Sequence, residues 1–135
     1  MHRMGVDINW EALRTGARSM TQRAYAPYSN VRVGACALAD DGRLVHGCNV
    51  ENASYGLGLC AECSLISDLI GTGGGRLVAI AVVAADGEPL APCGRCRQVL
   101  FEHGGAVHLV DRPGGPVALG SLLPEAFGPD DLSRQ

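Results

Sequence analysis

At 135 residues and 47% apolar side chains, the chain is long enough for one domain with a packed core and too apolar for a disordered segment. A net charge of −3 with no Lys/Arg cluster argues against a nucleic-acid partner, whose phosphates need basic contacts, and points to a small, nearly neutral ligand. No apolar run is long enough to cross a membrane, and the opening MHRMGVDINW lacks a secretory apolar core, so the expected setting is cytoplasmic and reducing. There, the six cysteines point to metal or redox chemistry rather than disulfides.

Residues 8–25 place Trp10, Leu13, Ala17, Met20 and Ala24 at spacings of three or four, which predicts a helix stopped by Pro27. Residues 31–39 follow as a strand, with Val31, Val33, Ala35 and Ala37 on one face. Asp40, Asp41 and Gly42 turn the chain into an antiparallel partner over 43–49. Residues 60–70 predict a second helix that buries Leu65, Ile66, Leu69 and Ile70 and ends at a glycine run, Gly73, Gly74 and Gly75. That run follows a helix and lacks the Lys-Ser/Thr ending of a phosphate loop.

The segment RLVAIAVVA, residues 76–84, predicts a central strand covered on both faces. A third helix is expected over 93–103, short strands over 107–111 and 116–119, and a last helical turn before Phe127. The polar tail after Asp130 is expected to be loose. Residues 1–135 thus form a single domain: an α/β fold, with a mixed five-stranded sheet in a three-layer α/β/α sandwich. The two later helices are each expected to connect neighbouring strands, which are then parallel, so that both helices begin at the same end of the sheet.

That geometry joins two segments, Cys60-Ala61-Glu62 and Pro92-Cys93-Gly94-Arg95-Cys96. Each opens a helix, whose N-terminal N–H groups and partial positive charge favour thiolate over thiol. Three converging thiolates suit Zn²⁺ and leave a fourth tetrahedral position open, as a catalytic zinc requires. Glu62, two residues after Cys60, stands beside such a metal without ligating it, where a proton carrier is needed.

With these motifs in view the chain resembles the cytidine deaminase family, in particular its small three-cysteine, homotetrameric branch. The resemblance spans nearly the whole chain. It rests on Ala24-Tyr25-Ala26-Pro27-Tyr28-Ser29, Val33-Gly34-Ala35, Gly47-Cys48-Asn49-Val50-Glu51-Asn52, the two cysteine segments continued through Arg97-Gln98, and Leu122-Leu123-Pro124-Glu125-Ala126-Phe127. It implies a cytidine deaminase-like fold with one Zn²⁺ per subunit on Cys60, Cys93 and Cys96, and Glu62 as the proton carrier between water and pyrimidine. It also implies that Ala61 contacts the base, that Asn49 and Glu51 bind the ribose, and that Phe127 covers the base of a neighbouring subunit. The reaction implied is deamination of cytidine or deoxycytidine in pyrimidine salvage, in a homotetramer with shared active sites.

Two positions depart from that pattern. Val31 stands where the family carries a base-stacking Phe, which leaves deamination of another cytosine nucleoside, such as blasticidin S, as an alternative. Cys63 stands where relatives carry an Arg that offsets thiolate charge; helix N-termini and Arg97 are candidates for that task here. Cys63 also permits a closed four-cysteine structural zinc site, and Cys93-Gly94-Arg95-Cys96 alone would fit a redox pair. Cys36 and Cys48 are expected as buried inert thiols, Tyr25 and Tyr28 as packing residues, and His46, His103 and His108 as surface or partly buried side chains.

Overall fold

The computed structural model describes residues 7–133. Helix α1 spans Trp10–Thr21 and starts where the Asn9 side chain accepts the Ala12 N–H at 3.1 Å. It ends well before Pro27, because the backbone of Tyr25 is committed elsewhere. Tyr25 N–H donates to the Asn49 carbonyl and its own carbonyl accepts from Glu51, forming a bridge beside Val50.

Strand β1, Val33–Ala39, pairs antiparallel with β2, Leu44–Cys48, and on its other edge with β3, Leu77–Ala84. Val31 lies outside β1. Its N–H is taken by the Ser29 hydroxyl and its carbonyl by the Asn49 amide, so neither joins the ladder. Helix α2, Ala61–Gly71, leads from β2 to β3; helix α3, Gly94–Gly104, leads from β3 to β4, Leu109–Val110, which pairs parallel with β3. Strand β5, Val117–Ala118, closes the edge, and α4, Leu119–Leu122, and α5, Pro129–Ser133, complete the chain.

The sheet order is β2-β1-β3-β4-β5, a five-stranded mixed sheet with helices on both faces. The expectation that α2 connects neighbouring strands is corrected by this order. The hairpin inserts β1 between β2 and β3, and α2 crosses over it. Since β1 runs against both, β2 and β3 still point the same way, and α2 and α3 still start at one end of the sheet.

On one face, Leu13 and Ala17 of α1 pack on Cys36, Leu38, Val78, Ala81 and Val83. On the other, Leu65, Leu69 and Leu100 pack on Ala35, Ala37, Val45, Ile80 and Val82. Small residues let both helices approach closely. A Cβ on Gly34 would sit 1.9 Å from the Ala17 carbonyl of α1, and one on Gly47 would sit 2.3 Å from the Ala61 carbonyl of α2. The glycine run after α2 is a seat for Arg43, which donates to the Leu69 and Gly74 carbonyls at 3.3 and 2.6 Å.

Two further expectations are corrected. His108 is fully buried under Gly104, because the tight Gly104–Gly105 turn folds β4 back beneath α3. The tail is not loose from Asp130: α5 reaches Ser133, held by the Asp131 carboxylate accepting the Gly128 N–H at 2.9 Å. Residues 134–135 lie outside the described residues. Cys36 is buried as expected, whereas Cys48 is only half-buried.

Candidate active site

Cys60 and Cys93 immediately precede α2 and α3, and Cys96 lies in the first turn of α3. Because the two helices begin at the same end of the sheet, their three sulfurs come within 4.8 Å of one another. Zinc–sulfur bonds of ~2.3 Å at tetrahedral angles place sulfurs about 3.8 Å apart, so the cluster fits a zinc ion after a small contraction. The donor set fits too, since three soft thiolates with no hard oxygen ligand suit Zn²⁺ rather than Mg²⁺ or Ca²⁺. Half-buried Cys63, one turn along α2, stands outside this group.

The sulfurs differ in environment. The N–H of Cys96 at the start of α3 lowers the Cys93 thiol, despite some opposing burial. Burial raises the Cys60 thiol, with the nearby Cys93 and Glu62 adding to it. Burial raises Cys96 still further, with Glu62 and Cys60 contributing. Such mutual repulsion between acidic groups is what a divalent cation relieves.

Glu62 is 5% exposed, and burial raises its carboxyl above the usual carboxylate range. Arg97 donates to the Pro92 carbonyl at 2.7 Å and the Leu122 carbonyl at 3.0 Å, placing a guanidinium just behind Cys93.

A cleft of about 420 Å³ opens onto the cluster. Cys60, Ala61, Glu62 and Cys93 line its floor, and Asn49 and Glu51 its wall. The walls are tied to the loop before β1. Asn49 accepts the Val33 N–H and donates to the Val31 carbonyl, both at 2.8 Å. Glu51 accepts the Tyr28 and Ser29 N–H groups at 3.0 and 3.1 Å and the Ser29 hydroxyl. The Ser29 hydroxyl, with the two N–H groups, holds the Glu51 carboxyl below its ordinary range, so it is presented as a carboxylate.

The structure therefore brings together Cys60, Ala61, Glu62, Cys93, Asn49 and Glu51, with Cys96 completing the cluster. It does not bring Val31 or Phe127 of the same chain into that lining. Val31 is 55% exposed in the loop before β1, its carbonyl bonded to the Asn49 amide, and Phe127 is 61% exposed beside α3. Sequence reasoning assigned no role to Tyr55, Leu59 and Arg95, which also line the cleft. The short 3₁₀ turn Tyr55–Leu57 that positions Tyr55 leaves no periodic signal in SYGLGL.

A mixed sheet whose two helix starts present three sulfurs and a buried acid to a small-molecule cleft defines the class of zinc-binding hydrolytic enzymes with one open metal position. Residues 9–110 match the family described as cytidine and deoxycytidylate deaminase zinc-binding region. The chain is 59% identical to a cytidine deaminase of Mycobacterium tuberculosis over 96% of its length and 97% of the relative's. It is 39% identical to the cytidine deaminase of Sporosarcina psychrophila, over 91% and 94% of the two chains. The fold superposes on the crystal structure of cytidine deaminase from M. tuberculosis with a TM-score of 0.89, covering 90% of this chain and 99% of that one. A cytidine deaminase from Burkholderia pseudomallei gives 0.79 at 43% identity, covering 89% and 100%. The chain belongs to the cytidine and deoxycytidylate deaminase family.

Proposed function

We infer that the protein hydrolytically deaminates cytidine and deoxycytidine to the uracil nucleosides, releasing ammonia, with one zinc ion per subunit. The observation that carries this reading is the buried Glu62 carboxyl beside the three-sulfur cluster at the floor of a nucleoside-sized cleft. Zinc on Cys60, Cys93 and Cys96, when bound, supplies a water acidic enough to react near neutral pH. Glu62 would take a proton from the attacking water as the water oxygen adds to C4 of the pyrimidine, and deliver it to N3. C4 becomes tetrahedral, and Glu62 then moves the second proton of the water to the amino nitrogen, so that ammonia leaves and the uracil carbonyl forms. Water is consumed and no oxidant or reductant is needed.

Asn49 and Glu51 orient the nucleoside through its ribose hydroxyls, their side chains already fixed by the loop at 28–33. Ala61, buried at the start of α2, offers backbone groups to the base. Phe127 covers the base of a neighbouring subunit in a homotetramer. Its exposure supports this reading, as does an apolar rim at the cleft mouth. There Tyr25, Val50 and Leu59 are bridged, and the tilted rings of Tyr28 and Tyr55 lie 6.2 Å apart, all exposed. No helix among the described residues is long and apolar enough to cross a membrane. We place the enzyme in the cytoplasm, in pyrimidine salvage, with no nucleic-acid partner.

Ammonia release measured over cytidine, deoxycytidine, cytosine, adenosine and blasticidin S tests the assignment. Cytidine and deoxycytidine are expected as the best substrates. Cytosine as the best substrate would overturn the sugar role of Asn49 and Glu51. Preference for blasticidin S would show that Val31, in leaving the rim open, sets a different specificity.

A further inference from the structure

Phe127 presents a paradox of order. Its side chain is largely in solvent. Its backbone is nonetheless held through the peptide that follows it, which is bonded at both its oxygen and its N–H. The Gln98 amide donates to the Phe127 carbonyl at 2.7 Å. The next residue, Gly128, is buried and gives its N–H to Asp131 at 2.9 Å. Gly128 also lies so close to α3 that a Cβ there would come within 2.5 Å of the Phe101 ring. Gln98 and Phe101 are three residues apart on α3, so both fastenings lie on one side of that helix.

We propose that Gln98 is a positioning residue for deamination: it fastens the Phe127 backbone to α3, so that the ring projects in a fixed direction into the base pocket of the neighbouring subunit. The proposal rests on the reading of Phe127 given above. Without the latch, the ring must be ordered each time substrate binds, and affinity falls. Gln98 follows Cys96 by two residues, so the helix that brings Cys96 to one site also fastens the aromatic cover of the next.

The test uses the full-length zinc enzyme. Gln98→Met keeps the shape of the side chain and removes the donor. It is expected to raise KM for cytidine about fivefold, as loss of one positioning hydrogen bond implies, with kcat, zinc content and assembly size near wild type. Phe127→Ala, the reference, is expected to raise KM at least as much. Mixed assemblies of Gln98→Met and Glu62→Gln subunits then separate positioning from stability. A Gln98→Met site covered by an intact Phe127 from its neighbour should regain the wild-type KM, whereas damage confined to its own chain would leave KM raised.

A wild-type KM in Gln98→Met with a raised KM in Phe127→Ala would overturn the latch and leave the role of Phe127 standing. A wild-type KM in Phe127→Ala would overturn both. Should Gln98→Met fail to assemble, Gly128→Ala displaces the same segment through Phe101 and must raise KM; a normal KM there overturns the latch.

Discussion

Gly34 and Gly47 solve the same packing problem on opposite faces of the sheet, with different consequences. Gly34 lets α1 settle on β1 at Ala17, among residues that touch no part of the cleft. Gly47 lets α2 settle on β2 at Ala61, between Cys60 and Glu62. The first contact serves stability alone. The second also fixes the depth at which the Cys60 sulfur and the Glu62 carboxyl sit at the floor of the cleft, so one missing methyl group sets the geometry of the proposed site.

The strongest challenge to this division falls on the sulfurs themselves. Cys96→Ala, on the α2/α3 face, is expected to lose zinc and all measurable ammonia release, while Cys63→Ser keeps one zinc per subunit. Metal analysis of both variants decides it, and loss of zinc in Cys63→Ser would restore the four-cysteine site. Next in size, Glu62→Gln should lower kcat by roughly 10²–10⁴-fold with zinc retained, as loss of a proton carrier implies. Turnover near wild type would remove Glu62 from the mechanism.

The glycine pair tests the comparison directly. Gly34→Ala and Gly47→Ala should each cost roughly 2–3 kcal/mol through overpacking and lower the Tm by several degrees. Only Gly47→Ala should also weaken zinc binding and reduce kcat. Equal loss of activity at matched stability would erase the distinction between the faces. The smallest effect belongs to the rim outside both faces. Val31→Phe should lower KM for cytidine by about two- to fivefold, the scale of one added aromatic contact. An unchanged KM would show that the position does not face the base.

How much was legible in advance divides along the same line. Cys60, Glu62, Cys93 and Cys96 could be placed from sequence because each sits at a helix start, and helix starts are marked by local chemistry that a neighbouring strand does not alter. The apolar run of β3 likewise announced a strand covered on both faces. What sequence could not give depended on partners distant along the chain. The end of α1 was set by the bridge of Tyr25 to Val50, and the neighbours of β2 by insertion of β1. The fastening of Phe127 came from a side chain 29 positions earlier. Periodicity carries none of these.

The alternating strand directions have one more outcome. Since β1 alone runs back between β2 and β3, the turn at Asp40, Asp41 and Gly42 sits at the end of the sheet remote from the three-sulfur cluster. All three residues are exposed, and a side chain on Gly42 would meet nothing within 4 Å. An epitope spliced between Asp41 and Gly42 would lengthen the molecule where no catalytic part is anchored, giving a handle for immobilising the enzyme with its cleft facing solution.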